Sequence, residues 1–235
     1  MNPTGPLIAT LIVLSLGGGW AAVRAFAARC ARVRGIGLGI WATALLLPIL
    51  LVGIASAVTV ATGAPWSPTA AAATLPNALA QSVFIFIFIG LGEEPGWRGY
   101  VLPTLQERLN PAMATLVLIV IGFIWHWPLF GVEQELNAVP AFAIMLSGGY
   151  VVFTWLTNAA RGGVLPAMLF HTSVNTFGGG FFFKLFEGTD QLRLWWVFAA
   201  LYGVTGVVIL IATRGRLGFT EAARGAPFES SLKRG

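Results

Sequence analysis

The sequence predicts an all-α, polytopic transmembrane helix bundle of seven to eight spans, and three observations carry that prediction. Only 10% of the 235 residues are charged and 57% are hydrophobic, whereas a soluble domain carries about 25% charged residues. A chain of this composition cannot cover a water-facing surface, so residues 1–235 read as a single membrane domain. Second, seven apolar stretches reach the roughly 20 residues a bilayer span requires. Third, the basic residues gather at the ends of those stretches, where membrane proteins keep them. That placement also argues against nucleic acid as a partner, although the net charge is +5. Cys30 is the only cysteine and excludes an internal disulfide. Met1 to Leu16 lacks the basic start of a signal peptide.

The expected spans cover residues 6–23, 36–62, 75–92, 112–131, 139–158, 164–183 and 194–213. The second is long enough to tilt; a split there, or an added re-entrant element, would make eight. The sixth carries Gly178-Gly179-Gly180 and is expected to break early. Residues 63–74 form an uncharged loop rich in Gly, Pro, Thr and Ala. Residues 97–109 read as a short amphipathic helix lying in the interface after the carboxylate pair of the third span. Residues 214–235 read as a short polar tail.

All but two of the 14 basic residues fall on one side of this arrangement. Arg24, Arg29, Arg32 and Arg34 occupy the first connection, Arg98 and Arg108 the third, and Arg161 the fifth. Arg214, Arg216, Arg224, Lys233 and Arg234 are in the tail, and only Lys184 and Arg193 lie opposite. The positive-inside rule then puts the N-terminus outside and the C-terminus in the cytoplasm.

Three polar clusters interrupt the apolar runs. An ionisable group in a membrane span is a functional-site hypothesis by default. The first cluster is Glu93-Glu94 followed by Arg98, after the uncharged run 82–92. On a helix Glu94 and Arg98 share a face, whereas Glu93 is rotated about 100° away. Arg98 thus holds Glu94 and leaves Glu93 free to act on water. Pro95-Gly96 follows and is expected to kink or restart the helix. The plain alternative is an ion pair closing a helix end. The second cluster is His126 in Trp125-His126-Trp127-Pro128, where the alternative is an imidazole satisfied by one backbone carbonyl or hydroxyl. In the third, His171 and Asn175 share a helix face at i,i+4 and both can donate to an oxyanion. The alternative there is hydrogen-bonding glue between helices. Together the clusters supply what amide hydrolysis requires: a base for water, an oxyanion hole and an acid for the leaving group. The third, fourth and sixth spans would have to converge on one polar pocket.

These residues resemble the CPBP family of intramembrane proteases, which includes CAAX proteases and bacteriocin-processing enzymes and is also called Abi. Glu93-Glu94-Pro95-Gly96-Trp97-Arg98 is similar to its E-E-x-x-x-R motif, Trp125-His126-Trp127-Pro128 to the W-H-x-P form of its second motif, and His171 to Asn175 to its H-x-x-x-N motif. The similarity covers about residues 75–185. The resemblance implies a bundle in a bacterial cell membrane whose cavity opens to the cytoplasm, and a membrane-associated protein or peptide as substrate. Glu93 with His126 would activate water, His171 with Asn175 would stabilise the oxyanion, and Glu94 and Arg98 would support them. The cofactor is either none or Zn, for which Glu93, Glu94, His126 and His171 are ligands by type. The second motif is often F-x-x-x-H; here position 122 is Gly, which leaves an aromatic wall of the pocket missing or supplied by Phe123 or Trp125. Two other readings stay open: a proton-coupled transporter or channel, and a non-enzymatic immunity or scaffold protein.

One tension concerns depth. At about 1.5 Å per residue, His126 lies some 20 Å into its span, whereas Glu93 ends its own. The two meet only if the third helix continues inward past Glu94 or the fourth begins in the cytoplasm.

Overall fold

The computed structural model describes residues 2–132 and 135–220. Arg224, Lys233 and Arg234, with the rest of the tail beyond residue 220, lie outside the described residues. Among the described residues seven helices make up the bundle: α1 (Gly5–Cys30), α2 (Leu38–Ala61), α3 (Pro68–Gln106), α4 (Pro111–His126), α5 (Val139–Ala159), α6 (Leu165–Phe177) and α7 (Gly188–Ala212). The chain is a polytopic helical bundle and an integral membrane protein.

Two of the helix starts follow directly from sequence. Ser67 and Asn110 each precede a proline, and each side chain accepts a hydrogen bond from the backbone N–H three residues on, at 3.2 and 2.9 Å. That satisfies a donor the first turn would leave open, while the proline gives up an N–H that had no partner there.

The seven expected segments appear as six long helices and one short one. All but α6 are long and apolar enough to cross a membrane. Helix α6 has 13 residues, about 20 Å at 1.5 Å per residue, short of the roughly 30 Å hydrocarbon core. It stops at Phe177 because three glycines follow, and the chain returns through a turn and a 3₁₀ segment, Phe182–Leu185. The expected early break is therefore present. The first connection is also shorter than expected, since α1 runs to Cys30 and takes in Arg24 and Arg29.

The largest correction concerns residues 97–109. No separate interfacial helix forms there. Helix α3 continues through the carboxylates to Gln106, 39 residues in all. It neither breaks nor restarts at Pro95-Gly96; it widens into π turns over Ile85–Gly90 and Pro95–Val101, on either side of Leu91–Glu94. Such wide turns concentrate at functional sites. Arg98, Leu102 and Gln106 are buried rather than facing a membrane surface.

Helix α3 packs between α1 and α6, and α5 packs on α7. Position 96 lies so close to α1 that a Cβ there would come within 2.6 Å of Pro6. Small residues let membrane helices approach this way. The bundle is also laced by polar ties between helices. Thr115 on α4 donates to Thr154 on α5 at 2.9 Å, and Ser173 on α6 donates to the Leu45 carbonyl on α2 at 2.7 Å.

The helix ends fall into two sets. The Val164 N–H donates to the Cys30 carbonyl at 3.3 Å, joining the start of α6 to the end of α1. Arg193 donates to the Thr62 carbonyl at 2.9 Å, joining the start of α7 to the end of α2.

Candidate active site

A cavity of about 750 Å³ lies inside the bundle, and Glu93, Glu94, Arg98, His126, His171 and Asn175 all line it. The depth tension resolves through the length of α3. Glu93 lies 13 residues before Gln106 and His126 lies 15 residues after Pro111, so each stands about 20 Å from the short 106–111 connection at 1.5 Å per residue. The two side chains thus reach one level from helices running in opposite directions. The α3 end that placed Glu94 at a membrane surface does not exist.

Glu93 and Glu94 are 2% and 0% exposed, and Arg98 is 2% exposed. The Glu94 carboxylate is held from two sides: Oε2 is 3.3 Å from Arg98 Nε, and Oε1 is 2.6 Å from His171 Nδ1. The i,i+4 pairing read from sequence is therefore present, and α6 adds a second partner the sequence did not reveal. With Nδ1 committed to Glu94, His171 has Nε2 left for the cavity. Asn175, one turn on, lines the same space.

His126 Nδ1 is 2.6 Å from the Gly122 carbonyl. A carbonyl only accepts, so Nδ1 carries the proton and Nε2 keeps its lone pair. The plain alternative, an imidazole satisfied by one carbonyl, describes one nitrogen correctly. The other belongs to a ring that lines the cavity and packs on Phe142 at 5.4 Å.

Sequence reasoning missed the aromatic residues of α5. The Arg98 guanidinium lies 4.2 Å from the Tyr150 ring and 4.1 Å from the Phe153 ring. Phe153 also meets the His171 ring edge-on at 5.6 Å. A cation with only one carboxylate partner gains from aromatic faces in a desolvated place. The usable signal was Tyr150, one of three tyrosines in the chain and placed in mid-span. The sequence leaves the aromatic wall missing or supplied by Phe123 or Trp125. Phe123 packs on Trp127 and Phe130, Trp125 packs on Trp97 and its side chain also reaches Glu93, and the cavity lining includes Tyr150.

Of the four candidate zinc ligands Glu94 is already committed, since both its oxygens face other partners, whereas each histidine keeps Nε2 and Glu93 lines the same cavity. Among the described residues no three His, Cys, Asp or Glu side chains come together as a ligand set. A catalytic zinc site needs three protein ligands converging on one point.

Residues 75–177 match the family model described as type II CAAX prenyl endopeptidase Rce1-like. The CAAX prenyl protease 2 of Methanococcus maripaludis is 26% identical over 103 residues, which cover 40% of this chain and 38% of that protein. The matched stretch thus spans about two fifths of that relative's length. It contains Glu93, Glu94, Arg98, His126, His171 and Asn175, but not Lys184, Glu187 and Gln191, which also line the cavity.

Proposed function

Because residues 75–177 match a family model of CAAX prenyl endopeptidase-like proteins, we propose that the chain is an intramembrane endopeptidase. Its substrate is a membrane-associated protein or peptide. The observation that supports this reading best is the meeting of Glu93, His126 and His171 on one cavity in mid-bundle, at equal depth from helices of opposite direction.

In this reading a water molecule lies between the Glu93 carboxylate and the free Nε2 of His126. As the water oxygen attacks the scissile carbonyl carbon, its proton passes to that base pair. A positioned base of this kind contributes about 10²–10⁴ in rate. The carbonyl oxygen becomes an oxyanion and takes hydrogen bonds from the Asn175 amide and from Nε2–H of His171, which acts as the doubly protonated imidazolium paired with the Glu94 carboxylate. The collapsing intermediate breaks the C–N bond, and the proton returns to the leaving amine. Glu94 sets the His171 ring and is itself held by Arg98. No step is routed through a metal.

The name of the archaeal relative suggests a prenylated C-terminal Cys-aliphatic-aliphatic-X tail as the substrate to try first. By the positive-inside rule the asymmetry of basic residues supports a cytoplasmic C-terminus. The test is release of a C-terminal tripeptide from a farnesylated peptide by the purified protein in detergent. Wild type should release it, and Glu93→Ala and His126→Ala should not while remaining folded. Cleavage retained by purified Glu93→Ala protein would sink the reading.

A further inference from the structure

Gly122 is the point where α4 meets α5, and it has no room for any side chain. A Cβ there would lie 2.1 Å from the Tyr150 hydroxyl oxygen and 2.4 Å from the ring carbon bearing it. The phenol end of Tyr150 therefore fills the space a side chain at 122 would take. The rest of the same ring lies against the Arg98 guanidinium, at 4.2 Å. Tyr150 thus touches both halves of the site at once. On one side is the cation that holds Glu94, which in turn holds His171. On the other is the backbone of residue 122, whose carbonyl fixes the His126 ring.

We infer that Tyr150 is a positioning residue, whose ring sets the α4 approach that aims His126 and forms one face of the clamp around Arg98. Arg98 needs such a clamp: it is 2% exposed, and its Nε and Nη2 atoms have no hydrogen-bond partner of ordinary geometry. The Glu94 carboxylate, two ring faces and a side-chain hydrogen bond with Tyr150 compensate it. Phe153 supplies the second face three residues along α5, its ring at 76° to that of Tyr150. The Tyr150 side chain also hydrogen-bonds Arg98, but the positioning task falls to the ring, so phenylalanine should serve at position 150. Gly122 and Tyr150 are one fitted pair, and an aromatic residue at 122 requires a small one at 150.

This inference rests on the endopeptidase reading for its catalytic half, and the experiment separates the two. Purified variants in detergent are assayed on the farnesylated tail peptide and by thermal unfolding. Tyr150→Phe should keep kcat within about threefold of wild type. Tyr150→Leu keeps bulk but offers Arg98 no π face; it should lower kcat by about tenfold or more while KM stays within about threefold. Gly122→Phe should lose folded protein, and Gly122→Phe with Tyr150→Ala should regain it. A Tyr150→Phe protein as impaired as Tyr150→Leu would show that the hydroxyl acts, and would overturn the assignment. So would full kcat in Tyr150→Leu, or a double variant no more stable than Gly122→Phe. If wild type cleaves nothing, the endopeptidase reading falls, and the unfolding comparison still decides whether residues 122 and 150 are a fitted pair.

Discussion

Nδ1 of His171 lies 2.6 Å from Oε1 of Glu94, and this contact joins α6 to α3 across 77 positions of the chain. It gives the two adjacent carboxylates different tasks. Glu94 is paired on both oxygens, with His171 on Oε1 and Arg98 on Oε2. Among the described residues Glu93 has no ion pair of its own; it meets the Trp125 side chain and faces the cavity. Their conservative amides should therefore fail differently. Glu94→Gln leaves the Arg98 charge buried without its partner, and breaking a buried pair costs about 3–5 kcal/mol. Thermal unfolding should show a loss of that order together with lost cleavage. Glu93→Gln should abolish turnover at a nearly unchanged unfolding temperature. Equal unfolding temperatures for the two variants would refute the division of labour.

Arg98→Lys keeps the charge and loses the plane. A lysine ammonium has no flat face to lie between Tyr150 and Phe153, so its pairing with Glu94 would have to carry its burial unaided. Turnover should fall by about tenfold or more, with a lower unfolding temperature. Wild-type kinetics in the Arg98→Lys variant would mean that charge alone is enough at this position.

Most of the fold was legible because hydrophobicity over about 20 residues is a strong signal. Six of the seven long apolar runs became long helices, and the Gly178-Gly179-Gly180 break stopped the other at Phe177. Helical phase also paired Glu94 with Arg98 correctly. What was not legible depended on contacts between distant segments. The apolar run before Glu93 looks finished where charge begins, yet α3 continues to Gln106 because its charges face a cavity instead of a membrane surface. Composition cannot distinguish these two settings. The tie from His171 to Glu94 and the clamp of Tyr150 and Phe153 follow from helix packing, to which a one-dimensional pattern is blind.

The zinc question has a direct prediction. Glu94 is shared between His171 and Arg98, and among the described residues no three His, Cys, Asp or Glu side chains are gathered as a catalytic zinc site requires. Chelators such as phenanthroline should leave cleavage within about twofold, and elemental analysis of active protein should find zinc well below about one per chain. Activity lost to a chelator and restored by added zinc would contradict this and imply a rearranged site.

Gly96 tests how the first helix builds the site. A Cβ at position 96 would come within 2.6 Å of the Pro6 backbone and ring, and one at Gly92 within 2.6 Å of the Pro3 carbonyl oxygen. Neither obstacle is the loose end of a side chain, so a larger residue must push α1 away from α3. Pro3 is itself part of the cavity lining, and displacing it opens the site on the side of Glu93. Gly96→Val should therefore cost at least the roughly 1–3 kcal/mol of an overpacked core and reduce cleavage more than its stability loss alone accounts for. Gly53→Ala is the control. Nothing lies within 4 Å of a Cβ at position 53, in the middle of α2. Helix propensity alone should make that change neutral or stabilising by up to about 1 kcal/mol. Unfolding temperature and monodisperse yield of the two proteins make the comparison. A Gly96→Val protein as stable and active as Gly53→Ala would show that α1 is not held against α3 at this point.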